Sequence, residues 1–356
     1  MRGFLPAAVS LLLSLALAGA WTYRLVGASA GQKTIRFAYV GAPDDARHLS
    51  ALRFQEQVER DSGGTLRVKL YYGGQLGGDR DAIEGVGLGT IEMTVAGAGV
   101  FANFEPQMGV TALPFFFDGF EEAWAFNDSP LNAQICRRLE RRGLRVLGHW
   151  DNGFRCITNS VRPINSPEDL RGLTIRTPEN PIILATMAAL GANPSPLPWP
   201  ELYMALQQRA FDGQENPVPT IYVNKLYEVQ EHLSITDHAY EPMPVVVSEV
   251  FWSGLSERER EIIRTAVLES QRFNRSLTRQ RTDEMLAGLQ EEGMIITHPD
   301  RKPFEESTRH VRDQLAASIG RDLVEEVVRF VEKQRSEVRG QRSEIRKATI
   351  DLTPDP

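Results

Sequence analysis

Three short segments in which every second residue is apolar are separated by two stretches of helical spacing, and this order restricts the fold more than any other feature of the chain. Residues 34–40 alternate through Ile35, Phe37 and Tyr39. A helical pattern follows with Leu49, Leu52, Phe54 and Val58, broken by Asp61-Ser62-Gly63-Gly64. Residues 66–72 alternate again through Leu66, Val68, Leu70 and Tyr72. A glycine-rich loop ending at Asp79 leads into a helical stretch over 80–88, and 91–96 reads as a third strand. A period of two marks a half-buried strand and a period near 3.6 marks a helix with one apolar face. Strand, helix, strand, helix, strand in this order predicts a parallel sheet with right-handed crossovers, hence an α/β fold.

The rest of the chain continues the mixture. The spacing predicts a helix over 120–142, strands over 144–149 and 155–159, and a helix start at Ser166-Pro167-Glu168-Asp169. It then predicts a strand over 173–176, helices over 181–190, 199–208 and 222–231, and a strand over 245–250. From Glu257 onward the chain reads as charged helix, with an apolar stripe through Ile262, Ile263, Ala266 and Val267. The Arg- and Glu-rich end beyond about 334 alternates in sign, as a solvated helix does and a nucleic-acid arm does not.

The N-terminus has the anatomy of a secretory leader. Arg2 precedes an uncharged run from Phe4 to Trp21, and small-x-small sites follow at Ala18-Gly19-Ala20 and Ala28-Ser29-Ala30. Pro6, Ser10, Ser14 and Gly19 weaken the run as a permanent membrane span, so a leader over 1–30 and a periplasmic mature protein are expected. The net charge of −7 argues against nucleic acid as a partner, although a local Arg cluster can still attract an anion. Cys136 and Cys156 match no metal motif; a disulfide and two separate buried thiols both fit.

Several strings, read together, resemble the DctP-like substrate-binding proteins of tripartite ATP-independent periplasmic (TRAP) transporters. They are Gly74-Gln75-Leu76-Gly77-Gly78-Asp79-Arg80, Leu113-Pro114-Phe115, and Asn152-Gly153-Phe154-Arg155 continuing through Thr158 to Ile164. Further along come Leu170-Arg171-Gly172-Leu173-Thr174-Ile175-Arg176 and Leu190-Gly191-Ala192-Asn193-Pro194. The most specific is Glu201-Leu202-Tyr203-Met204-Ala205-Leu206-Gln207-Gln208 followed by Asp212-Gly213-Gln214-Glu215-Asn216-Pro217. The resemblance spans roughly residues 33–323 and implies a two-lobed periplasmic-binding-protein fold, with hinge strands and a ligand cleft that closes on binding. Residues 31–152 with about 242–281 would form lobe I, 153–241 with about 282–333 lobe II, and 334–356 a charged tail.

The resemblance also implies a role for particular residues. The family's carboxylate-binding Arg falls on Arg176, a second Arg on Arg155, the Asn of the Gly-Gln-Glu-Asn-Pro string on Asn216, an aromatic wall on Trp199, and a further contact on Asp79. The chemistry is consistent: the planar guanidinium fork matches a carboxylate, Asn offers donor and acceptor, and indole supplies an apolar face with one N–H. Each residue also has an ordinary reading. Arg176 can be a strand-end surface residue; Arg155 can pair with Asp151 or Glu179; Asn216 can serve a turn before Pro217; Trp199 can be packing between prolines; Asp79 can cap a helix. Sialic-acid-binding relatives carry Glu and Arg where this chain has Ala96-Gly97-Ala98-Gly99-Val100.

The implied partners are a small organic acid, from C4-dicarboxylates to sugar acids, and the membrane subunits of a TRAP transporter driven by an ion gradient. No cofactor, metal or catalysis is expected. A ligand-sensing subunit of a signalling system is the first alternative and a secreted hydrolase the second. The single Gly-x-Ser-x-Gly string, Gly27 to Gly31, lies at the leader's end and not at a strand-to-helix turn, and the six His residues are scattered.

Overall fold

The computed structural model describes residues 31–350; the leader expected over 1–30 lies outside the described residues. Among the described residues no helix is long and apolar enough to cross a membrane.

The opening alternation becomes a parallel sheet, as its periodicity requires. β1 (Lys33–Ala38) lies between β2 (Leu66–Tyr71) and β3 (Met93–Val95), parallel to both. The intervening helices are Ala46–Asp61, with Asp45 capping its N-terminus, and Asp79–Gly87. A second parallel group lies further along: β5 (Thr174–Thr177) between β6 (Asn193–Pro196) and β7 (Gly213–Pro217). Two long strands join the groups. β4 (Leu144–Asn159) and β8 (His232–Ser248) run antiparallel through 16 and 17 residues and are hydrogen-bonded along most of that length. β3 pairs with the end of β8, β7 pairs with the end of β4, and β9 (Ile295–Thr297) adds to the start of β8. The sheet order is therefore β2-β1-β3-β8-β4-β7-β5-β6. Two α/β lobes share one pair of crossing strands, and a cleft lies where those strands pass between them.

Separate cores support the two ends. Ile35, Phe37, Phe54, Trp150, Val245 and Val267 form one cluster under the Ala46–Asp61 helix and the 35-residue helix Glu257–Glu291. Phe101, Phe117, Phe126 and Tyr240 belong to another on the opposite face. At the far end Ile157, Leu173, Ile175 and Ile183 form a third, and Leu202, Leu206, Ile221 and Leu289 a fourth. The helix Arg321–Ile350 closes the chain; its Val324, Val327 and Val331 join the cluster around Phe126, and Arg335 pairs with Asp118 at 2.8 Å.

Several expected elements differ. The helix over 120–142 is broken into Phe120–Asn127, Pro130–Cys136 and a 3-10 turn, because Ser129 starts a new helix with Pro130 in its first turn. The two strands expected over 144–159 are one: Asp151-Asn152-Gly153 looks like a turn, but Gly153 takes φ +117 and the chain continues through a bulge. The stretch 232–244, not foreseen as strand, pairs with β4 on either side of an irregularity at 235–238. The helix expected over 222–231 comes earlier, as Val218–Val223, and the left-handed Lys225 (φ +52) ends it. Cys136 and Cys156 are separate buried thiols.

Candidate functional site

Arg176 is the third residue of β5, after the buried Ile175 and before Thr177, so strand alternation and core packing fix where its guanidinium emerges. It is 2% exposed. Nε and Nη2 donate to the Leu197 carbonyl at 2.9 and 2.6 Å, and the guanidinium lies 5.8 Å from the Trp199 ring centroid. Among the described residues it meets no carboxylate at ion-pair distance. Burial draws its pKa down to about 10, with Glu215 opposing and the like charge of Arg155 adding, so it remains a cation at neutral pH.

Arg155, on β4, is the contrasting case. Its Nε and Nη1 donate to the carboxylates of Glu215 on β7 and Glu241 on β8, and Nη2 donates to Glu215 Oε1 at 2.8 Å and Asn216 Oδ1 at 3.3 Å. Burial alone would lower the Arg155 pKa, but the two carboxylates raise it above its ordinary value. Glu215 is held low, against burial, by Arg155 and by His238 at 3.2 Å. The ion pairs with Asp151 or Glu179 that the sequence left open do not form. Asp151 accepts instead from the Trp124 indole and the Tyr240 hydroxyl, and Glu179 lies 3.7 Å from Arg80.

Asn216 is buried; its Oδ1 accepts from Arg155 and its Nδ2 donates to Gln214 Oε1 at 2.5 Å. Asn152 donates to Glu241 at 2.8 Å and accepts from Thr220 at 3.2 Å. Asp79 does not cap its helix. Asp81 does so, accepting from the Gly78 N–H at 2.8 Å, which leaves the Asp79 carboxylate directed into the cleft. Burial pushes the Asp79 pKa up to about 6; Arg47, 3.8 Å away, opposes and Glu241 adds.

All five residues singled out in the sequence line one small cavity in this cleft. The cavity also takes in Arg47, Asn152, Thr220 and Glu241, which sequence reasoning missed. Glu241 sits in the unrecognised part of β8, where no periodic signal pointed to it. Arg47 follows the Asp45 cap, a position that alone suggests only a helix start.

Both lobes meet over the cavity. Asn103, after β3, donates to the Glu179 carbonyl at 2.6 Å, and Gly74 packs against Pro200. Gly99 faces Asn180 so closely that a Cβ there would lie 1.8 Å from Asn180 Nδ2. Asn180 cannot swing aside freely, because its Oδ1 caps the helix Pro181–Ala189 by accepting from the N–H groups of Ile182 and Ile183.

A larger hollow elsewhere is lined by Cys136, Arg145, His149 and Arg275. The Cys136 thiol and Asn132 amide both approach the same nitrogen of His149, at 3.6 and 3.2 Å. Burial pushes the thiol up to about 12 and the imidazole down to about 4, so this is packing rather than an activated nucleophile.

Comparison with known proteins bears on the same cleft. The family described as bacterial extracellular solute-binding protein, family 7 (DctP) matches residues 37–318. The chain belongs to that family. This DctP protein is 34% identical over 303 residues to the 2,3-diketo-L-gulonate-binding periplasmic protein of Escherichia coli, spanning 84% of this chain and 92% of that one. It is 30% identical to the C4-dicarboxylate-binding periplasmic protein of Rhodobacter capsulatus, over 87% and 95% of the two chains. The structure of the sugar acid binding protein of Advenella mimigardefordensis in complex with galactonate superposes with a TM-score of 0.83 at 34% identity, covering 85% of this chain and 99% of that one. Two lobes about a cleft and a solute-binding rather than catalytic role are thus family properties of this chain.

Two predictions follow from the geometry. Gly99→Ala should weaken ligand binding about tenfold or more while shifting the melting temperature of the ligand-free protein by less than about 2 °C, since the added methyl obstructs only the approach of Asn180; equal affinity in a titration would contradict this. Asp79 loses its proton near 3.9 when unfolded but near 6 when folded. Rising pH across that window therefore destabilises the fold, and the cost persists above it. Asp79→Asn should melt higher than the parent at pH 7.5, by about 1–2 kcal/mol. That difference should shrink as pH falls below about 6 and vanish near 4, which melting curves across pH will check.

Proposed function

We propose that this DctP protein captures a polyhydroxy acid with a single carboxylate, a sugar acid, in the periplasm and delivers it to the membrane subunits of a TRAP transporter. Arg176 would bind the carboxylate, with Trp199 as apolar wall; Asp79, Asn216 and the groups around Arg155 would receive hydroxyls. The leader expected over 1–30 would carry the chain across the inner membrane. Residues 31–152 with about 242–281 would move as one lobe, and 153–241 with about 282–333 as the other. The parallel groups at the two ends of the sheet support that division.

The observation that carries the reading is the inequality between the two buried arginines. Arg155 is already matched by two carboxylates, whereas Arg176 has carbonyl and ring contacts only. A buried cation without a counter-ion is costly, and a ligand carboxylate removes that cost. Among the described residues Arg176 is the one arginine of the cavity with no carboxylate at ion-pair distance, since Arg47 has Asp79 at 3.8 Å, and this favours one carboxylate. The rest of the lining is rich in acceptors: Asp79 and Glu241 suit hydroxyl donors and would repel a second carboxylate. The relatives that bind galactonate and diketogulonate have ligands of this kind. The Rhodobacter relative keeps a C4-dicarboxylate as the second reading. A ligand that contacts both lobes would favour the closed form in proportion to its differential affinity.

The purified mature protein should be melted with aldonates, uronates and C4-dicarboxylates, each also with Arg176→Ala. A ligand at 100 times its Kd adds about 2.7 kcal/mol of stability. The reading expects such a shift for a sugar acid, absent in Arg176→Ala, and little or none for succinate or malate. A larger shift with the dicarboxylates would replace it by the second reading.

A further inference from the structure

Arg47 carries an inference that the comparisons do not supply. It stands in the first turn of the helix Ala46–Asp61, on the lobe that faces Arg176 across the cleft. It is 5% exposed, and its Nε and Nη1 find no hydrogen-bond partner among the described residues. Its nearest carboxylate oxygen, Asp79 Oδ1, is 3.8 Å from Nη1, beyond hydrogen-bond reach, and is itself unpartnered. Gly41 lets the arginine stem lie against the main chain: a Cβ there would come within 3.2 Å of the Arg47 Cβ and 3.3 Å of its Cδ. A buried guanidinium is thus held with donors open towards the cavity, beside a carboxylate with an open acceptor. Leaving such groups unsatisfied is costly, since each has lost its water and found no partner. A binding protein can sustain that cost where the ligand completes the set.

We propose that Arg47 and Asp79 form the distal grip of the site, holding the hydroxyl groups of the acid furthest from the carboxylate on Arg176, so that Arg47 selects for the length of the ligand. Resting on the sugar-acid reading above, this names the part of the ligand that makes the difference. A hydroxyl oxygen accepts from Arg47 Nη1 while its O–H donates to Asp79 Oδ1, so one group satisfies two of the three unpartnered atoms. A short acid anchored on Arg176 leaves them as they are. Longer aldonates reach across the cleft and bind in proportion more tightly, drawing the two lobes together.

The test is calorimetric titration of the parent protein and of Arg47→Gln with galactonate, erythronate and glycerate, with melting curves of both ligand-free proteins. The expected loss in affinity for Arg47→Gln is tenfold or more for galactonate. It should be less than threefold for the shortest acid that the parent binds. The ligand-free variant should melt at or above the parent at pH 5, where Asp79 is protonated and does not need its neighbouring cation. Arg47→Lys, which keeps the charge without the fork, should fall between the two for galactonate. Equal losses for long and short acids, or a variant that melts well below the parent even at pH 5, would make Arg47 a structural residue and overturn the inference. Unchanged galactonate affinity would overturn it as well. If the parent binds none of these acids, the sugar-acid reading fails first and this grip fails with it; binding by the parent with a length-independent loss removes the grip alone.

Discussion

The guanidinium of Arg155 lies between two carboxylates on neighbouring strands, Glu215 on β7 and Glu241 on β8, and the rest of the cleft is arranged around that cluster. It ties three adjacent strands together where the two lobes meet. Its charges are nearly out of reach of water, so each must be matched by another. Buried ion pairs often add little net stability, because desolvation offsets their attraction, but losing one partner is expensive. The cluster is therefore better understood as a fixed polar floor than as a source of stability. Asn216, Asn152 and His238 are all oriented by it. Because Arg155 is satisfied within the protein and Arg47 has Asp79 at 3.8 Å, Arg176 is the cationic group left to recognise an anion.

Several unsatisfied groups lie at the same place. Arg47 Nε and Nη1, Asp79 Oδ1, Thr177 Oγ1 and Asn180 Nδ2 are buried without partners in or beside the cleft. In the hinge, the Asp151 carboxylate accepts from Trp124 and Tyr240, and its main-chain N–H donates to Asn274 Oδ1 at 2.5 Å. Gly99 passes close to Asn180 over the cleft, and a side chain there would hold the lobes apart.

Much of this was legible in the sequence, for identifiable reasons. The first parallel group could be read from strict alternation at Ile35, Phe37 and Tyr39 and at Leu66, Val68 and Leu70, because each strand has one face on a core. Asp79, Arg155, Arg176, Trp199 and Asn216 could be named from short strings, and they line one cavity. The missing pieces lacked a local signal. The start of β8 reads His232-Leu233-Ser234-Ile235-Thr236-Asp237-His238, too polar for a buried strand, yet Ser234 and His238 find partners distant in sequence, Thr297 and Glu215. Gly153 suggests a turn and instead allows a bulge. Arg47 and Glu241 become site residues only when the Ala46–Asp61 helix and β8 are brought to the same cleft.

The central claim is that an uncompensated buried arginine makes this cleft a carboxylate receptor. It is tested most directly by calorimetric titration with galactonate and with galactitol, which keeps the hydroxyls but has a neutral carbinol in place of the carboxylate. The account predicts a measurable Kd for the acid and at least a hundredfold weaker binding for the polyol, about 2.7 kcal/mol or more. Comparable affinity for the two would show that recognition runs through the hydroxyl groups, and would contradict the role given to Arg176.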